Sequence, residues 1–470
     1  MMWNFKEHLE NIAVIEDTGI ILTYGKLLEE CEYLKEKMAP RSLVFIFCNN
    51  TAGDFLGYVA CITNGCVPAL LNYGLEKEQE QYLLNQYKPH YLWVPLSNID
   101  EYKDFEAIYS IYNYVLLKNK NSVEKYKLYD ELALLLTTSG STGSPKFVRQ
   151  SYKNILSNAK SIAKYLEITA TERPITTLPM NYTYGLSIIN SHLLVGATIL
   201  ITNKTIMQKE FWEFFKAQNA TSFGGVPYTY EMLKKLRIFN MDLPSLKTMT
   251  QAGGKLLSSL HKEFAEFAEE TNRKFIIMYG QCEATARMAY LPSDKNLSKI
   301  GSMGIAIPGG KLILVDATGA EITTPFTTGE LIYSGDNVTL GYAESFADLE
   351  KGDERHGILD TGDMAEFDED GYFYIVGRKK RFLKIFGNRV NLDEVERMLK
   401  GAFPNAECAV SGIDDNLWIF TTDENAQNDM RKYLSEKTGL NSSAFKSKYI
   451  NEIPKNDSGK TLYNYLKFDS

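Results

Sequence analysis

Two short apolar runs separated by a helix-length segment limit what this chain can fold into more than any other feature. Residues 42–48 (SLVFIFC) and 67–71 (VPALL) are almost wholly apolar, and residues 54–63 between them carry a helical pattern. A strand that is apolar on both faces is buried on both faces, which is the habit of parallel sheets covered by helices. The rhythm recurs through residues 91–94, 114–117, 197–201 and 275–278, and an amphipathic stretch, 25–38, follows Leu22-Thr23-Tyr24. Such alternation predicts an α/β fold with mostly parallel sheets.

From about residue 301 the texture changes. Residues 311–315, 329–334 and 371–376 are short strand-like runs separated by turns such as Asp316-Ala317-Thr318-Gly319 and Asp368-Glu369-Asp370-Gly371, which suggests a small β-rich subdomain. After the basic run Arg378-Lys379-Lys380-Arg381, residues 391–399 read as a capped helix. Strands at 409–410 and 418–421 and a helix at 426–434 complete a compact α+β tail. At 470 residues the chain exceeds one ordinary core. The expected division is a large N-terminal domain, 1–379, and a small C-terminal domain, 380–470.

The net charge of −8 argues against nucleic acid as the main partner. Residues 186–201 are the most apolar stretch but include Asn190, Ser191 and His192, so a buried helix and strand are expected there and not a membrane span. None of the six cysteines forms a CxxC pair, and the first residues lack a signal-peptide core. A reducing cytoplasm is the expected setting.

The segment richest in chemistry is Leu135-Leu136-Thr137-Thr138-Ser139-Gly140-Ser141-Thr142-Gly143-Ser144-Pro145-Lys146. An apolar strand runs into hydroxyl residues, glycines and a lysine. Glycines allow tight turns that expose successive N–H groups, and hydroxyls and an ammonium add donors for phosphate oxygens. The Walker spacing is absent. The segment resembles the phosphate loop of the adenylate-forming superfamily, which contains acyl- and aryl-CoA synthetases, peptide-synthetase adenylation domains and luciferases. The superfamily's other motifs follow in order: Ala252-Gly253-Gly254, Tyr279-Gly280-Gln281-Cys282-Glu283, Thr361-Gly362-Asp363, Gly377-Arg378, Gly387-Asn388-Arg389 and Pro454-Lys455-Asn456-Asp457-Ser458-Gly459-Lys460.

The resemblance implies a role for each. Thr138 to Gly143 and Lys146 would bind the phosphates of ATP, and Gly253 and Gly254 would line the adenine side. Tyr279 would stack on adenine beside Gly280, Gln281 and Cys282, where Cys282 replaces the usual threonine and loses its hydroxyl. Glu283 would hold Mg²⁺, and Asp363 and Arg378 would bind the ribose hydroxyls. Lys460 would be the catalytic lysine, offsetting repulsion between acid and ATP. Lys380 would be the interdomain hinge, Arg389 would approach the thiol acceptor, and neighbouring cations such as Lys379 and Arg381 would serve its phosphates or form a solvated patch. The acyl pocket would include Tyr182 as gate, Tyr184, Gly225 and Pro227. Arg287 would reach either the substrate's distal end or a neighbouring protein carboxylate.

The five histidines fall in no motif, so a nucleophile–His–Asp triad has no support. The expected activity is ATP-dependent activation of a small carboxylic acid to an acyl-adenylate. Transfer would follow to a thiol, of coenzyme A or of a carrier protein's phosphopantetheine. The alternatives are a non-thiol acceptor, as in amide formation, or a non-catalytic acyl- or nucleotide-binding protein.

Overall fold

The structure is a computed structural model that describes residues 2–121, 126–137, 146–386, 388–455 and 461–467. The chain divides into two compact units, residues 1–311 with 333–359, and residues 312–332 with 360–470. The β-rich strands are thus grouped with the tail, and Lys380 falls inside the second unit.

The first unit is built on two large sheets. In one, Ile12–Glu16, Ile199–Ile201, Pro174–Ile175, Ser222–Gly225, Thr248–Gln251 and Lys274–Tyr279 are adjacent and parallel. Ala289–Tyr290 and Ile305–Ala306 extend its far edge antiparallel. In the other, Leu132–Thr137, Val67–Asn72, Leu43–Cys48 and Tyr91–Pro95 run parallel at the centre. Every residue of Leu43–Cys48 is buried, as its composition required.

The helix between the runs, Ala52–Asn64, is bounded by local chemistry. Thr51 and Asp54 form a capping box at its start, and Gly65 closes it in the left-handed conformation. Asp54 is fully buried, and its carboxylate accepts from the backbone N–H groups of Asn49, Thr51 and Phe55. Residues 186–201 form the end of a buried helix, Thr183–Leu194, and the strand Ile199–Ile201. Among the described residues no helix is long and apolar enough to cross a membrane.

One expectation needs correction. Tyr114–Asn119 is not part of the parallel series: it pairs antiparallel with both Tyr91–Pro95 and Phe105–Ile111. The tight reversal at Tyr112 and Asn113, both with positive φ, makes a hairpin where a crossover helix was expected.

In the second unit, Gly310–Val315, Gly329–Gly335, Ile358–Phe367 and Phe373–Arg378 make a four-stranded sheet. The tail adds a three-stranded sheet, Cys408–Ile413, Asn416–Thr421 and Phe445–Tyr449, covered by the helices Leu392–Ala402 and Gln427–Thr438. The third strand was not foreseen, because FKSKY places three polar residues in succession and shows neither an apolar run nor a period-two alternation.

Candidate active site

The strand Lys274–Tyr279 ends at the first unit's densest concentration of predicted site residues. Gly280 is required there: a Cβ would lie 1.7 Å from the carbonyl oxygen of Ala286. The chain passes through a short 3-10 turn, Cys282–Ala284, and reverses at Thr285, a β-branched residue held at φ 64 and ψ −57. Ala286 donates to the Ala284 carbonyl at 2.7 Å, so the reversal is a γ-turn of the strained kind. Thr183 and Asn337 hold it in place, Thr183 by donating to the Thr285 carbonyl and Asn337 by accepting from the Thr285 hydroxyl. Strain maintained this firmly beside a carboxylate is a common mark of a working site.

The carboxylate is Glu283. Its Oε1 accepts from the Tyr342 hydroxyl at 2.6 Å, and its backbone carbonyl accepts from Thr339 and from Arg355. Burial, and then Glu283 itself, push the Tyr342 hydroxyl up to about 12, so it remains a donor at neutral pH. Tyr342 lies on the short strand Gly341–Ala343, antiparallel to Phe147–Ser151, the strand that follows the predicted phosphate loop. This pairing brings the Lys146 ammonium to 3.8 Å from the Tyr342 ring centroid, with the Arg355 guanidinium at 4.7 Å from the same ring. Arg149, fully buried on the same strand, donates to the carbonyls of Tyr342, Leu340 and Gly352 and pairs with Glu354. It thereby fixes the loop that carries Arg355.

Tyr342, Thr339 and Arg355 were not singled out from the sequence. Their place at Glu283 depends on pairing between strands nearly 200 residues apart, which no local sequence pattern marks.

The predicted pocket residues also converge. Gly253 has φ +84, and a Cβ on it would come within 2.7 Å of the Tyr182 hydroxyl and 3.1 Å of Val226. Pro227 begins the helix Pro227–Lys235 and lies against Gly254, while Gly225 ends the preceding strand. Tyr184 is buried, and its hydroxyl shares a hydrogen bond with Thr250 at 2.8 Å. Tyr182, Tyr184, Val226, Ala252 and Met278 pack into one cluster. Tyr279 and Gln281 are joined by a hydrogen bond, and Cys282 lies partly exposed on the 3-10 turn.

In the second unit, Asp363 and Arg378 stand directly opposite each other on paired strands. Their side chains meet at 3.5 Å, Asp363 almost buried and Arg378 mostly exposed. Lys380 is exposed within the turn Lys379–Arg381. Arg381 does not belong to a solvated or phosphate-binding patch: it is engaged by Asp393, Glu396, the Val410 carbonyl and the Tyr463 ring. Lys379 is held by both oxygens of Glu330. Arg389 lies on the strand Asn388–Asn391, opposite Lys384. Thr138, Ser139, Gly140, Ser141, Thr142, Gly143 and Lys460 lie outside the described residues.

In this two-sheet α/β unit a carboxylate, Glu283, and a lysine, Lys146, converge on Tyr342. The family model for AMP-binding enzymes matches residues 2–343, and the chain belongs to that adenylate-forming family. Among known proteins it is similar to the 2-succinylbenzoate–CoA ligase of Bacillus subtilis (strain 168), with 25% identity over 477 residues. That match covers 97% of this chain and 95% of the relative. Feruloyl-CoA synthase of Amycolatopsis sp is 29% identical over 294 residues, 62% of this chain and 58% of that protein. Among solved structures, O-succinylbenzoate coenzyme A synthetase (MenE) from Bacillus subtilis in complex with AMP superposes with TM-score 0.81 at 23% identity, covering 99% of this chain and 97% of that one. ATP-bound MatB from Rhodopseudomonas palustris gives 0.79 at 20% identity, covering 98% and 96%. The fold is therefore the α/β fold expected from the sequence.

Proposed function

We propose that this protein is an AMP-forming acid–thiol ligase. It activates a carboxylic acid with ATP to an acyl-adenylate and pyrophosphate, then transfers the acyl group to coenzyme A with release of AMP. The observation that carries the reading is the convergence of Glu283 and Lys146 on Tyr342, a carboxylate and a cation at the start of the strand Phe147–Ser151. Coenzyme A is preferred to a carrier protein because the full-length relatives are themselves CoA ligases.

The donor set suits magnesium delivered with ATP. Mg²⁺ is commonly held by one or two carboxylates together with substrate phosphates and water, and among the described residues no cluster of three or more metal-ligating side chains exists. Glu283 would hold the ion, which when bound would offset charge on the phosphates. Tyr342 orients the Glu283 carboxylate by its hydrogen bond. Lys146 and Arg355 add positive potential at the phosphates. Asp363 accepts from the ribose hydroxyls, with Arg378 opposite. Lys460 acts at the reacting carboxylate and α-phosphate, Lys380 is the hinge, and Arg389 approaches the thiol. The free cysteines accord with a cytoplasmic setting.

Tyr342→Phe removes the hydroxyl that orients Glu283 while keeping the ring. A hydrogen bond to a charged group contributes about 1.5–3 kcal/mol, so kcat/KM for Mg·ATP is expected to fall about tenfold or more, with less change in KM for the acid. Unchanged Mg²⁺ and ATP dependence in initial-rate assays would remove Tyr342 from this role. The reaction class is tested by following AMP with and without coenzyme A across a panel of acids. AMP and acyl-CoA in equal amounts are expected; AMP formation indifferent to coenzyme A but stimulated by an amine would assign another acceptor.

A further inference from the structure

Arg287 is the one residue of the predicted pocket whose electrical state the surrounding protein leaves unbalanced. It is only 2% exposed. A guanidinium carries five N–H donors. Here Nη1 donates to the Tyr165 hydroxyl at 3.1 Å and lies 3.1 Å from the Met278 sulfur, a weak acceptor. Nε has no hydrogen-bond partner. The planar group sits 5.0 Å from the centroid of the Tyr184 ring, and Tyr165 in turn stacks on Tyr290 at 4.2 Å. Among the described residues no carboxylate pairs with Arg287, so it has not turned to a protein acid.

This surplus is built in. Gly280 allows the Ala286–Arg287 backbone to pass against the end of the central strand, and the strained turn at Thr285 sends the chain back towards it. Asn158 and Asn337 hold the Arg287 carbonyl at 2.9 and 3.1 Å. The ring faces of tyrosines stabilise a cation only partly, and an unpaired charge is costly to keep from water. Tyr184, whose ring faces the guanidinium, packs with Tyr182, the predicted gate of the acyl pocket, and with Val226 and Ala252.

We infer that Arg287 recognises a second anionic group on the substrate, so that the acid activated is a dicarboxylate whose distal carboxylate accepts from the guanidinium. The inference rests on the adenylation reading above and narrows its substrate class. A bond between two charged groups in a site closed to water is directional and strong, and such a ligand would supply the acceptor that Nε lacks.

The experiment measures acid-dependent pyrophosphate release with aliphatic and aromatic dicarboxylates, each compared with its monomethyl ester, which preserves length and removes one charge. In the wild type, kcat/KM for the preferred diacid is expected to exceed that of its ester by about 10- to 100-fold. Arg287→Met should abolish that preference while turnover of the esters holds or improves, and Arg287→Lys should restore part of it. Should esters and diacids react equally in the wild type, or should Arg287→Met slow both alike, the inference is overturned and adenylation stands. Absence of pyrophosphate release with every acid would overturn the adenylation reading itself.

Discussion

Replacing Lys460 by alanine is expected to lower acid-dependent pyrophosphate release by at least about 100-fold, with ATP affinity nearly unchanged. The acid and ATP are both anionic, and negative charge concentrates between them as the carboxylate attacks the α-phosphate. A cation placed there acts mainly on the transition state, so its loss lowers kcat more than binding. The motif that carries Lys460 is flanked by an antiparallel bridge between Lys455 and Thr461, and Lys455 is itself anchored to Glu407 at 2.7 Å. Lys455→Ala should therefore have a much smaller effect. Comparable losses from both substitutions would point to a general disturbance of the tail.

The second large effect is expected at Lys380. The turn Lys379–Arg381 lies between the strands Phe373–Arg378 and Phe382–Ile385, and the φ of a 3-10 turn is close to that of proline. Lys380→Pro should thus fit the present conformation and resist leaving it. Three contacts oppose the same movement: Asn391 donates to the Val376 carbonyl at 2.8 Å, the Arg378 N–H donates to Asp393 at 3.2 Å, and Arg397 donates to Val376 at 3.4 Å. If the tail turns about Lys380 between the two half-reactions, these bonds break in every cycle. Lys380→Pro is then expected to leave adenylate formation within about threefold of wild type while thioester formation falls about 100-fold or more, a rigid hinge being a barrier to the conformational step alone. Single-turnover measurements of the two steps decide it. Equal loss in both steps places the hinge elsewhere.

The parallel strands were legible because burial on both faces leaves an unmistakable run, as in residues 42–48, and the helix Leu392–Ala402 because Asn391 caps it. Tyr114–Asn119 was misplaced in the parallel series because a buried strand looks the same whichever way its neighbour runs; direction depends on the hairpin at Tyr112 and Asn113. The site divided in the same way. Glu283 and the Asp363–Arg378 pair are carried by short contiguous motifs, and the latter two proved to face each other across adjacent strands. Tyr342 and Arg355 reach Glu283 through the pairing of Gly341–Ala343 with Phe147–Ser151, which no local pattern announces. Arg381 sat among solvent-facing cations in the sequence, yet the acids that hold it lie on the helix that follows, at Asp393 and Glu396.

Exchange of labelled pyrophosphate into ATP is the decisive assay for this protein, because it reports reversible adenylation without a thiol. With purified protein, Mg²⁺ and ATP, exchange is expected to require a carboxylic acid, to saturate with it and to proceed without coenzyme A. No exchange with any acid across aliphatic, aromatic, mono- and dicarboxylic members, or exchange equally fast without acid, would contradict acid adenylation.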